Sequence, residues 1–364
     1  MKEATIPANR ESQFVARLSQ WASRFVPNKA KTIHFLRNSG ISLASMGVFL
    51  LIWQLGSAGL YQVEANARIQ KALTDQGQAA AEEVKACIAS GDLSCQPNTL
   101  PAPGQVLHAA KALWLDHLEI SQKKADFALK VGATNAQREA QGLAAIIYTG
   151  RPSFIDQIFT SLKTVLVGFL IAMLIAIPIG VVIGLNDTLR TAFNWLIQVF
   201  KPVSPVVWLL LVFMIVKTLT LNVDMDTSFI ISSISVGLCA MWATLVNTSL
   251  GVSSVNKDYL NVAKVLKLGV GKKVFKVILP SSIPLIFTGM RITVSVAWMV
   301  LIAIELLAQS PGLGSFVWEE FQNGANDSNA KIIVAMFVIG LIGFLLDRVM
   351  FWVQRSVSFE KAMA

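Results

Sequence analysis

A polar stripe runs along one apolar segment of this sequence, Pro284–Ala308. The stripe consists of Arg291, Ser295, Trp298 and Glu305. At about 100° per residue, the last three fall within about 40° of Arg291 on a helix. If the segment crosses a bilayer, a central charge costs about 2.5–3.5 kcal/mol, so this face should meet protein or water rather than lipid. Two interpretations follow: a wall of a translocation path on which Arg291 attracts an anion, or polar groups that neighbouring helices bind for assembly.

Arg291 and Glu305 lie about 21 Å apart along such a helix at 1.5 Å per residue, so they cannot pair with each other. Pro205 and Trp208, in another apolar segment, are further candidates for the same path. Transport requires few and weak contacts, because an anion that is held tightly would not leave.

Signatures of catalysis and of metal binding do not occur in the sequence. GVGKK (Gly269–Lys273) is not a phosphate-binding loop, because Leu266 occupies the position of the first glycine and Lys273 replaces Ser or Thr. The three histidines show no metal-ligand spacing with cysteines or acids, and we expect them to be solvated. They are His34, His108 and His117. We predict that the chain is not an enzyme, holds no cofactor or metal, and relies on another chain for any ATP hydrolysis.

The composition is that of a membrane protein. Of the 364 residues, 54% are hydrophobic and 15% are charged, whereas soluble domains carry about 25% charged residues. The net charge of +9 would be compatible with nucleic-acid binding in a soluble protein. In a membrane protein, Lys and Arg collect on cytoplasmic loops, so the charge indicates topology.

Six segments are candidates for membrane-spanning helices, which need about 20 apolar residues each. They are Ile41–Leu60, Ser161–Leu185, Val203–Val216, Phe229–Leu250, Pro284–Ala308 and Ile332–Val353. The third is short and contains Pro205. The predicted fold is therefore an all-α polytopic membrane protein.

The basic residues set the expected orientation. The first 40 residues hold seven basic residues against two acids, and the segment Asp258–Pro280 holds five lysines against one acid, so both belong in the cytoplasm. The predicted organisation is a cytoplasmic amphipathic tail (1–40), a first span (41–60), an extracytoplasmic insert (61–159), a membrane core (160–355) with cytoplasmic helices at 254–280, and a cytoplasmic tail (356–364).

Three smaller patterns accompany these spans. In the tail, Phe14, Leu18, Trp21 and Phe25 share a helical face, which indicates a helix on the inner leaflet or a solvated, partly disordered tail. Small residues recur every four positions in the second span and predict close packing against another helix. They are Gly168, Ala172, Ala176, Gly180 and Gly184.

The cysteines divide into two kinds. Cys87 and Cys95 lie close together in the insert, where an oxidising compartment would allow a disulfide, although two free thiols are the alternative. Cys239 lies in an apolar run and is expected to be a small core residue. QAAAEEVKACIAS and GQVLHAAKALWLDHLEI in the insert have helical patterns.

The basic segment Asp258–Pro280 has an apolar side. On a helix that begins near Asp258, four apolar side chains lie at i, i+3, i+4 and i+7 and form one continuous stripe. They are Tyr259, Val262, Ala263 and Leu266. Gly269 and Gly271 end or loosen this helix. The pattern predicts either an interfacial helix that lysines anchor to anionic lipid, or an element that docks into a groove of a cytoplasmic partner.

The same segment resembles the EAA loop of permease subunits in bacterial binding-protein-dependent ABC importers. Ala263 and Leu279-Pro280 are in register with that motif. The chain departs from it at Asn261, where the family has its glutamate, at Val262, and at Lys267, where the family has glycine.

Longer stretches extend the resemblance to about Leu100–Pro103 and Ser161–Arg355. DYLNVAKVLKL, PLIFTGMRI and GFLLDRVM resemble the nitrate branch of the nitrate, taurine and bicarbonate permeases, and TSLKTVLVGFLIAMLIAIPIGVVIGL and KPVSPVVWLLLVF resemble the same group. The resemblance implies a type I ABC importer permease fold in the bacterial inner membrane.

The function that this resemblance implies is import of a small anion, with nitrate the first expectation. A periplasmic binding protein would deliver the anion to two permease copies, and separate cytoplasmic ATPase subunits, which bind ATP and Mg, would drive alternating access. Lys257–Leu268 would lie in a groove of the ATPase. The residues implied in coupling are Asp258, Tyr259, Asn261, Val262, Ala263, Leu266, Lys267 and Pro280.

Several alternatives stay open at this point. The sequence does not separate nitrate from nitrite, cyanate, bicarbonate, or taurine or another sulfonate. A secondary transporter would show inverted repeats and ionisable residues in several spans, and a scaffold or receptor would not need a docking helix. The insert either contacts the binding protein or decorates the surface.

Overall fold

The computed structural model describes residues 29–90, 97, 99–219, 227–325 and 327–357. Every regular element in that part of the chain is helical, which confirms the predicted all-α fold. The elements in chain order are α1 (Lys29–Gln76), α2 (Gln78–Ser90), α3 (Pro103–Ala140), α4 (Phe154–Leu185), α5 (Asp187–Phe200), α6 (Pro205–Leu219), α7 (Ser228–Ser253), α8 (Lys257–Val265), α9 (Val270–Lys273), a π-helical turn (Val274–Ile278), α10 (Leu279–Ala308), α11 (Leu313–Asn323) and α12 (Ser328–Val357).

Five helical stretches of the described chain are long and apolar enough to cross a membrane. They are Gly40–Gln76 within α1, then α4, α7, the continuous stretch Val270–Ala308, and α12. Each contains one of the predicted spans, so those five predictions are confirmed.

The remaining predicted span, Val203–Val216, contains most of α6, which passes as a span only together with α5. α6 has 15 residues and is about 22 Å long, which is too short for a hydrocarbon layer of about 30 Å. α5 precedes it at an angle of 99°, so the two helices form one broken span or a re-entrant pair. Pro202 and Pro205 lie at the break, where they supply no backbone N–H to continue a helical ladder.

Two predicted helix boundaries differ from those in the structure. α1 continues past Leu60 as far as Gln76, where Gly77 adopts a left-handed φ of 88°. α4 begins at Phe154 rather than near Ser161. The tail residues Phe14, Leu18, Trp21 and Phe25, and residues 358–364 of the predicted C-terminal tail, lie outside the described residues.

α4 and α7 are packed at backbone distance through the small residues of α4. A Cβ atom added to Gly168 would lie 2.8 Å from the Val236 side chain, and one added to Gly184 would lie 2.6 Å from Val252. Ala172 and Ala176, between them, are completely buried. The predicted packing role of this face is confirmed.

α10 also packs closely on α7. The Thr244 and Thr293 hydroxyl oxygens are 2.8 Å apart, and the Thr293 hydroxyl donates to the Ala240 carbonyl at 3.1 Å. A Cβ at Gly289 would lie 2.9 Å from the Thr244 Cα. The core of the molecule is therefore the three-helix unit of α4, α7 and α10.

The insert is helical where the sequence predicts it, in α2 and α3. Its α3 is joined to the first turn of α4 by the Lys124–Asp156 ion pair at 2.6 Å and by a contact of 2.8 Å between His117 Nδ1 and Ser153 Oγ. The expectation that His117 is solvated is therefore wrong, whereas His108 is exposed. The side chain of His34 lies outside the described residues.

The disulfide prediction concerns α2 and the segment that follows it. Cys87 lies on α2, and Cys95 lies outside the described residues, so their pairing stays a prediction. Cys239 is a half-buried free thiol on α7, which agrees with a core position.

The end of α8 explains why the resembling family has glycine at the position of Lys267. Lys267 has a left-handed φ of 49°. The Leu268 N–H donates to the Ala263 carbonyl at 3.0 Å and the Lys267 N–H donates to the Lys264 carbonyl at 2.9 Å, which is the Schellman arrangement. A lysine in this conformation costs about 1–2 kcal/mol that glycine avoids.

Replacing this residue by glycine should therefore stabilise the end of α8. We expect Lys267→Gly to slow amide hydrogen exchange at Leu266 to Leu268 by roughly fivefold, which corresponds to about 1 kcal/mol. Lys264→Gly is the matched control, because glycine inside the helix destabilises it by about 1 kcal/mol. Faster exchange in Lys267→Gly than in the wild type would contradict this account.

Candidate functional site

α8 lies across one end of the bundle with its polar and apolar sides separated. Asn256 caps it, since its Oδ1 accepts the Asp258 N–H at 2.9 Å. Ala263 is 2% exposed and faces the bundle. Beside it, Leu260 packs on an apolar cluster formed by the end of α7, the connection to α8 and the π-helical turn. The cluster consists of Val252, Val255 and Ile278.

The outer side of α8 exposes large apolar side chains. Tyr259 and Val262 are each 57% exposed, and Leu266 is 64% exposed. The predicted continuous stripe is therefore divided: Ala263 holds α8 on the bundle, and the other three residues face away from it. Contiguous exposed apolar groups of this kind mark an interaction surface.

These side chains form one wall of an open groove of about 280 Å³. Its other wall comes from the π-helical turn and the start of α10, with Lys276, Val277 and Pro280. Asp258 in the first turn of α8, Asn261 in its middle and Lys267 just after its end are also exposed. The structure thus brings the predicted coupling residues together on one small surface, which we call the α8 surface.

Three other exposed apolar residues of the segment Asp258–Pro280 were missed in the sequence. Val265 is 81% exposed, Val270 is 77% exposed and Phe275 is 72% exposed. The sequence shows that apolar residues are frequent between the lysines of this segment. It does not show how much of each side chain a neighbour covers.

Arg291, by contrast, has a partner within the chain. Its Nε lies 2.5 Å from Asp347 Oδ1 and its Nη2 lies 2.8 Å from Asp347 Oδ2, so the guanidinium binds the α12 carboxylate in a bidentate manner. The Phe351 ring lies 5.3 Å from the guanidinium carbon. This arrangement offsets the cost of a charge in an apolar helix.

Two other members of the predicted stripe differ in burial. Trp298 is 4% exposed and its Nε1–H donates to the Ile339 carbonyl of α12 at 2.9 Å. Ser295 is exposed and donates to the Arg291 carbonyl of its own helix at 3.2 Å. Arg291 and Trp298 of the stripe therefore bind α12, and Ser295, between them, remains exposed.

Glu305 is buried at the other end of α10, with 1% exposure. Its carboxylate accepts the Ser161 hydroxyl at 2.8 Å and the Gly314 N–H at 2.9 Å. The Ser161 oxygen also accepts the Leu313 N–H at 2.9 Å. A Cβ at Gly312 would lie 2.2 Å from the carboxyl group, so the loop before α11 is folded directly onto Glu305.

Trp208 belongs to an aromatic cluster on α5, α6 and α7. Its ring centroid lies 6.0 Å from that of Phe200 and 6.4 Å from that of Trp242. The five residues predicted for a translocation path therefore have different surroundings, and their assignment to such a path stays a prediction. Asp347 and Ser161 were missed as partners, although Asp347 is an isolated acid in an apolar run of the sequence.

The network around Glu305 predicts a graded mutational effect. Glu305→Ala leaves the Ser161 hydroxyl and the Gly314 N–H without their acceptor, at about 1–3 kcal/mol for each, and should lower the melting temperature in detergent by several degrees. Glu305→Gln keeps the side-chain volume and one acceptor oxygen, so its melting temperature should lie between those of Glu305→Ala and the wild type. Ser295→Ala, on the same helix, is the control and should melt like the wild type. Equal melting temperatures for Glu305→Ala and Ser295→Ala would contradict the network.

Within the described part of the chain, no group of three or more His, Cys, Asp or Glu side chains is arranged to hold a metal ion. The α8 surface is a surface for contact, and the polar ties of α10 are links between helices.

Comparison with known proteins agrees with this geometry. Residues 176–359 match the model of the binding-protein-dependent transport system inner membrane component family. The nitrate import permease protein NrtB of Synechococcus elongatus is 36% identical over 202 residues, which cover 56% of this chain and 69% of that protein. The bicarbonate transport system permease protein CmpB of the same organism is 35% identical over 203 residues, 55% of this chain and 68% of that protein.

Among solved structures, the inward-facing MetNI methionine ABC transporter is 13% identical, with a TM-score of 0.49. The match covers 56% of this chain and 95% of that chain. The family model matches half of the chain. The aligned region covers more than two thirds of each of the two sequence relatives. This chain belongs to the family of binding-protein-dependent transport system inner membrane components, the membrane-embedded permease subunits of ABC importers, and is not itself an enzyme.

Proposed function

We propose that this chain forms the translocation path of an importer for a small anion, with nitrate as the substrate. A periplasmic binding protein delivers the anion, and separate ATPase subunits, which bind ATP and Mg, supply the energy. The observation that carries this proposal is the α8 surface, because it presents exposed apolar side chains at the basic end of the bundle. A permease without its own nucleotide site needs such a surface to receive movement from another chain.

The contacts of α8 suit a coupling element. Ala263 is 2% exposed, and Leu260 packs on Val252 of α7 and Ile278 of the π-helical turn, so a push on α8 acts on the end of α7 and on the turn that leads into α10. Tyr259, Val262 and Leu266 remain available for a groove in the ATPase. Asn261 replaces the acid of the family motif, so attachment rests on apolar packing rather than on a salt bridge at that position.

The orientation follows from charge. α8 and the lysines around it belong in the cytoplasm, because basic residues are retained on that side of the inner membrane. The amino and carboxyl termini are proposed to lie on the same side, and α2 and α3 on the periplasmic side. A second copy of this chain is the proposed partner across the membrane core, since only one permease unit is present in the chain.

The polar face of α10 is the proposed wall of the translocation path. Asp347 balances the charge of Arg291, so an anion would meet a neutralised guanidinium and the exposed hydroxyl of Ser295. Weak attraction of this kind favours release. Trp298, Glu305 and Trp208 would shape the path through their helices rather than bind the anion directly.

The choice of nitrate rests on the nitrate-type motifs in the sequence. The identities to the nitrate and bicarbonate permeases, 36% and 35%, differ too little to separate the two anions. Bicarbonate is the second candidate, and a sulfonate such as taurine, cyanate or nitrite would use the same architecture.

A charge placed on the α8 surface should separate this chain from its ATPase. We expect Leu266→Glu to reduce co-purification of the ATPase subunit at least roughly tenfold, because a carboxylate would be buried in an apolar groove. Ile147→Glu is the control, since Ile147 is 73% exposed at the opposite end of the molecule. Undiminished co-purification with Leu266→Glu would favour the alternative of a lipid-bound interfacial helix.

The substrate is best tested by anion-stimulated ATP hydrolysis of the complex in proteoliposomes. Nitrate, together with its binding protein, should stimulate hydrolysis more than bicarbonate, cyanate or taurine. Omission of the binding protein should abolish the difference between anions. Stimulation by bicarbonate alone would assign the chain to bicarbonate import, and transport that needs no ATP would indicate a secondary transporter.

A further inference from the structure

α5 lies at the same end of the bundle as α8. It follows the last turn of α4, where a Cβ atom added to Gly184 would lie 2.6 Å from Val252 of α7. Val252 belongs to the apolar cluster on which Leu260 of α8 packs. Asn186 separates α4 from α5, and its Oδ1 accepts the Thr188 N–H at 2.8 Å as a helix cap. The chain then bends by 99° between α5 and α6.

α6 runs along the membrane core but is too short to cross it alone. Leu209, Val212 and Val216 of α6 share an apolar cluster with Ile231 of α7 and Leu301 of α10. α6 therefore crosses beside these helices, and α5 lies close to the membrane plane. α6 is about 22 Å long, whereas the hydrocarbon layer is about 30 Å thick. The missing length of roughly 8 Å matches the depth of about 5–10 Å at which amphipathic helices lie in the headgroup boundary.

One side of α5 is a continuous polar stripe. Its members follow one another at intervals of one, three or four residues, so they lie on one face of the helix. All of them are exposed: Asp187, Arg190, Thr191, Asn194, Gln198 and, directly after α5, Lys201. Within the stripe, Arg190 Nη2 lies 2.6 Å from Asp187 Oδ1, and the Gln198 amide donates to Asn194 Oδ1 at 3.3 Å. A face with these charges and amide groups requires water around it.

A second side of α5 packs on the bundle. Leu189 and Phe193 line an apolar groove together with Val182 and Ile183 of α4. One turn further along α5, Ile197 is buried, with 8% exposure. These contacts fix the rotation of α5 about its own axis, because they turn the polar stripe to one flank and the remaining apolar residues to the other.

The third side of α5 is apolar and exposed. Trp195 is 63% exposed and Val199 is 56% exposed, and Ala192 is exposed beside them. These three residues lie about 100–160° around the helix from Asn194 in the polar stripe, so the two sides meet different surroundings. Tryptophan is enriched where a membrane meets water, because its ring is apolar and carries one polar N–H.

We infer that α5 is an interfacial helix that binds the lipid leaflet on the α8 side of the membrane. Trp195 and Val199 lie among the upper parts of the acyl chains, and the polar stripe lies in water. The three sides of α5 then have three surroundings: the bundle, lipid and water. Lipid, rather than a second copy of this chain, is the occupant of the exposed apolar side, because a position below the headgroups also supplies the length that α6 lacks.

The test is photo-cross-linking of the full chain in bacterial membranes, with p-benzoylphenylalanine at a single position and mass spectrometry of the purified chain. In place of Trp195 or of Val199, the probe should form adducts with the mass of a phospholipid. In place of Asn194 it should form several-fold fewer, because this position faces water. Leu210 of α6, which is 58% exposed, is the control position and should give lipid adducts in every case.

Three results would overturn the inference. Equal lipid adducts from Asn194 and Trp195 would place α5 inside the bilayer as half of a broken span. Cross-links from Trp195 and Val199 to a second copy or to another protein would make this side a protein interface. No lipid adducts from these two positions, while Leu210 gives them, would place α5 in water. Val199 keeps the test valid if the chain with the probe in place of Trp195 does not fold.

The assignment of α5 to the inner leaflet rests on the proposed orientation of the chain, whereas its interfacial position does not. Labelling of Lys264→Cys on intact cells with a membrane-impermeant maleimide, measured against the wild type, separates the two. Labelling of Lys264→Cys from the outside would reverse the proposed orientation and assign α5 to the outer leaflet. The lipid adducts expected from Trp195 and Val199 would not change.

Discussion

The contact between α4 and α7 is the constraint from which the remaining geometry follows. In a bilayer the hydrophobic effect does not drive two helices together, so their association depends on close van der Waals packing. Gly168, Gly180 and Gly184 allow that approach, since a Cβ atom at any of them would lie within 3 Å of α7. α10 then packs on α7 at Gly289. These three helices form the core on which the other described helices pack.

Polar groups tie the outer helices to this core at few positions. Arg291 reaches Asp347 of α12, Trp298 donates to a carbonyl of α12, and Glu305 collects hydrogen bonds from α4 and from the loop before α11. A charge in a low-dielectric setting must be paired or hydrogen-bonded, so each tie specifies one arrangement of its helices. The Glu305 tie fixes the loop that leads into α11.

The two ends of the bundle differ in chemistry. The α8 surface is apolar and surrounded by lysines, whereas the opposite end carries Asp116 of α3, Glu319 and Glu320 of α11 and, before α12, Asp327. α4 connects the two ends, because its Val181 packs on the same apolar cluster as Leu260 of α8 and its Phe154 lies at the opposite end. An event at either end therefore acts on the same core helix. Such an arrangement suits a subunit that receives one partner on each side of a membrane.

Much of this could be predicted from the sequence, because the relevant information is local. A run of apolar residues determines a span, the spacing of small residues determines a packing face, and a high density of lysines marks one loop. Five spans, the packing face of α4 and the position of α8 were found in this way. The break between α5 and α6 was not, because a bend of 99° depends on where prolines interrupt the backbone and on what each half packs against.

Which buried polar side chains pair with each other was decided only by the tertiary structure. The pairs Arg291–Asp347 and Ser161–Glu305 join residues that lie far apart in the chain, and periodicity within one helix carries no information about the other. The sequence by itself determined which residues enter the membrane and which face of each helix is apolar. The three-dimensional arrangement determined which buried charges are satisfied and which apolar groups remain exposed, because both depend on contacts between distant segments.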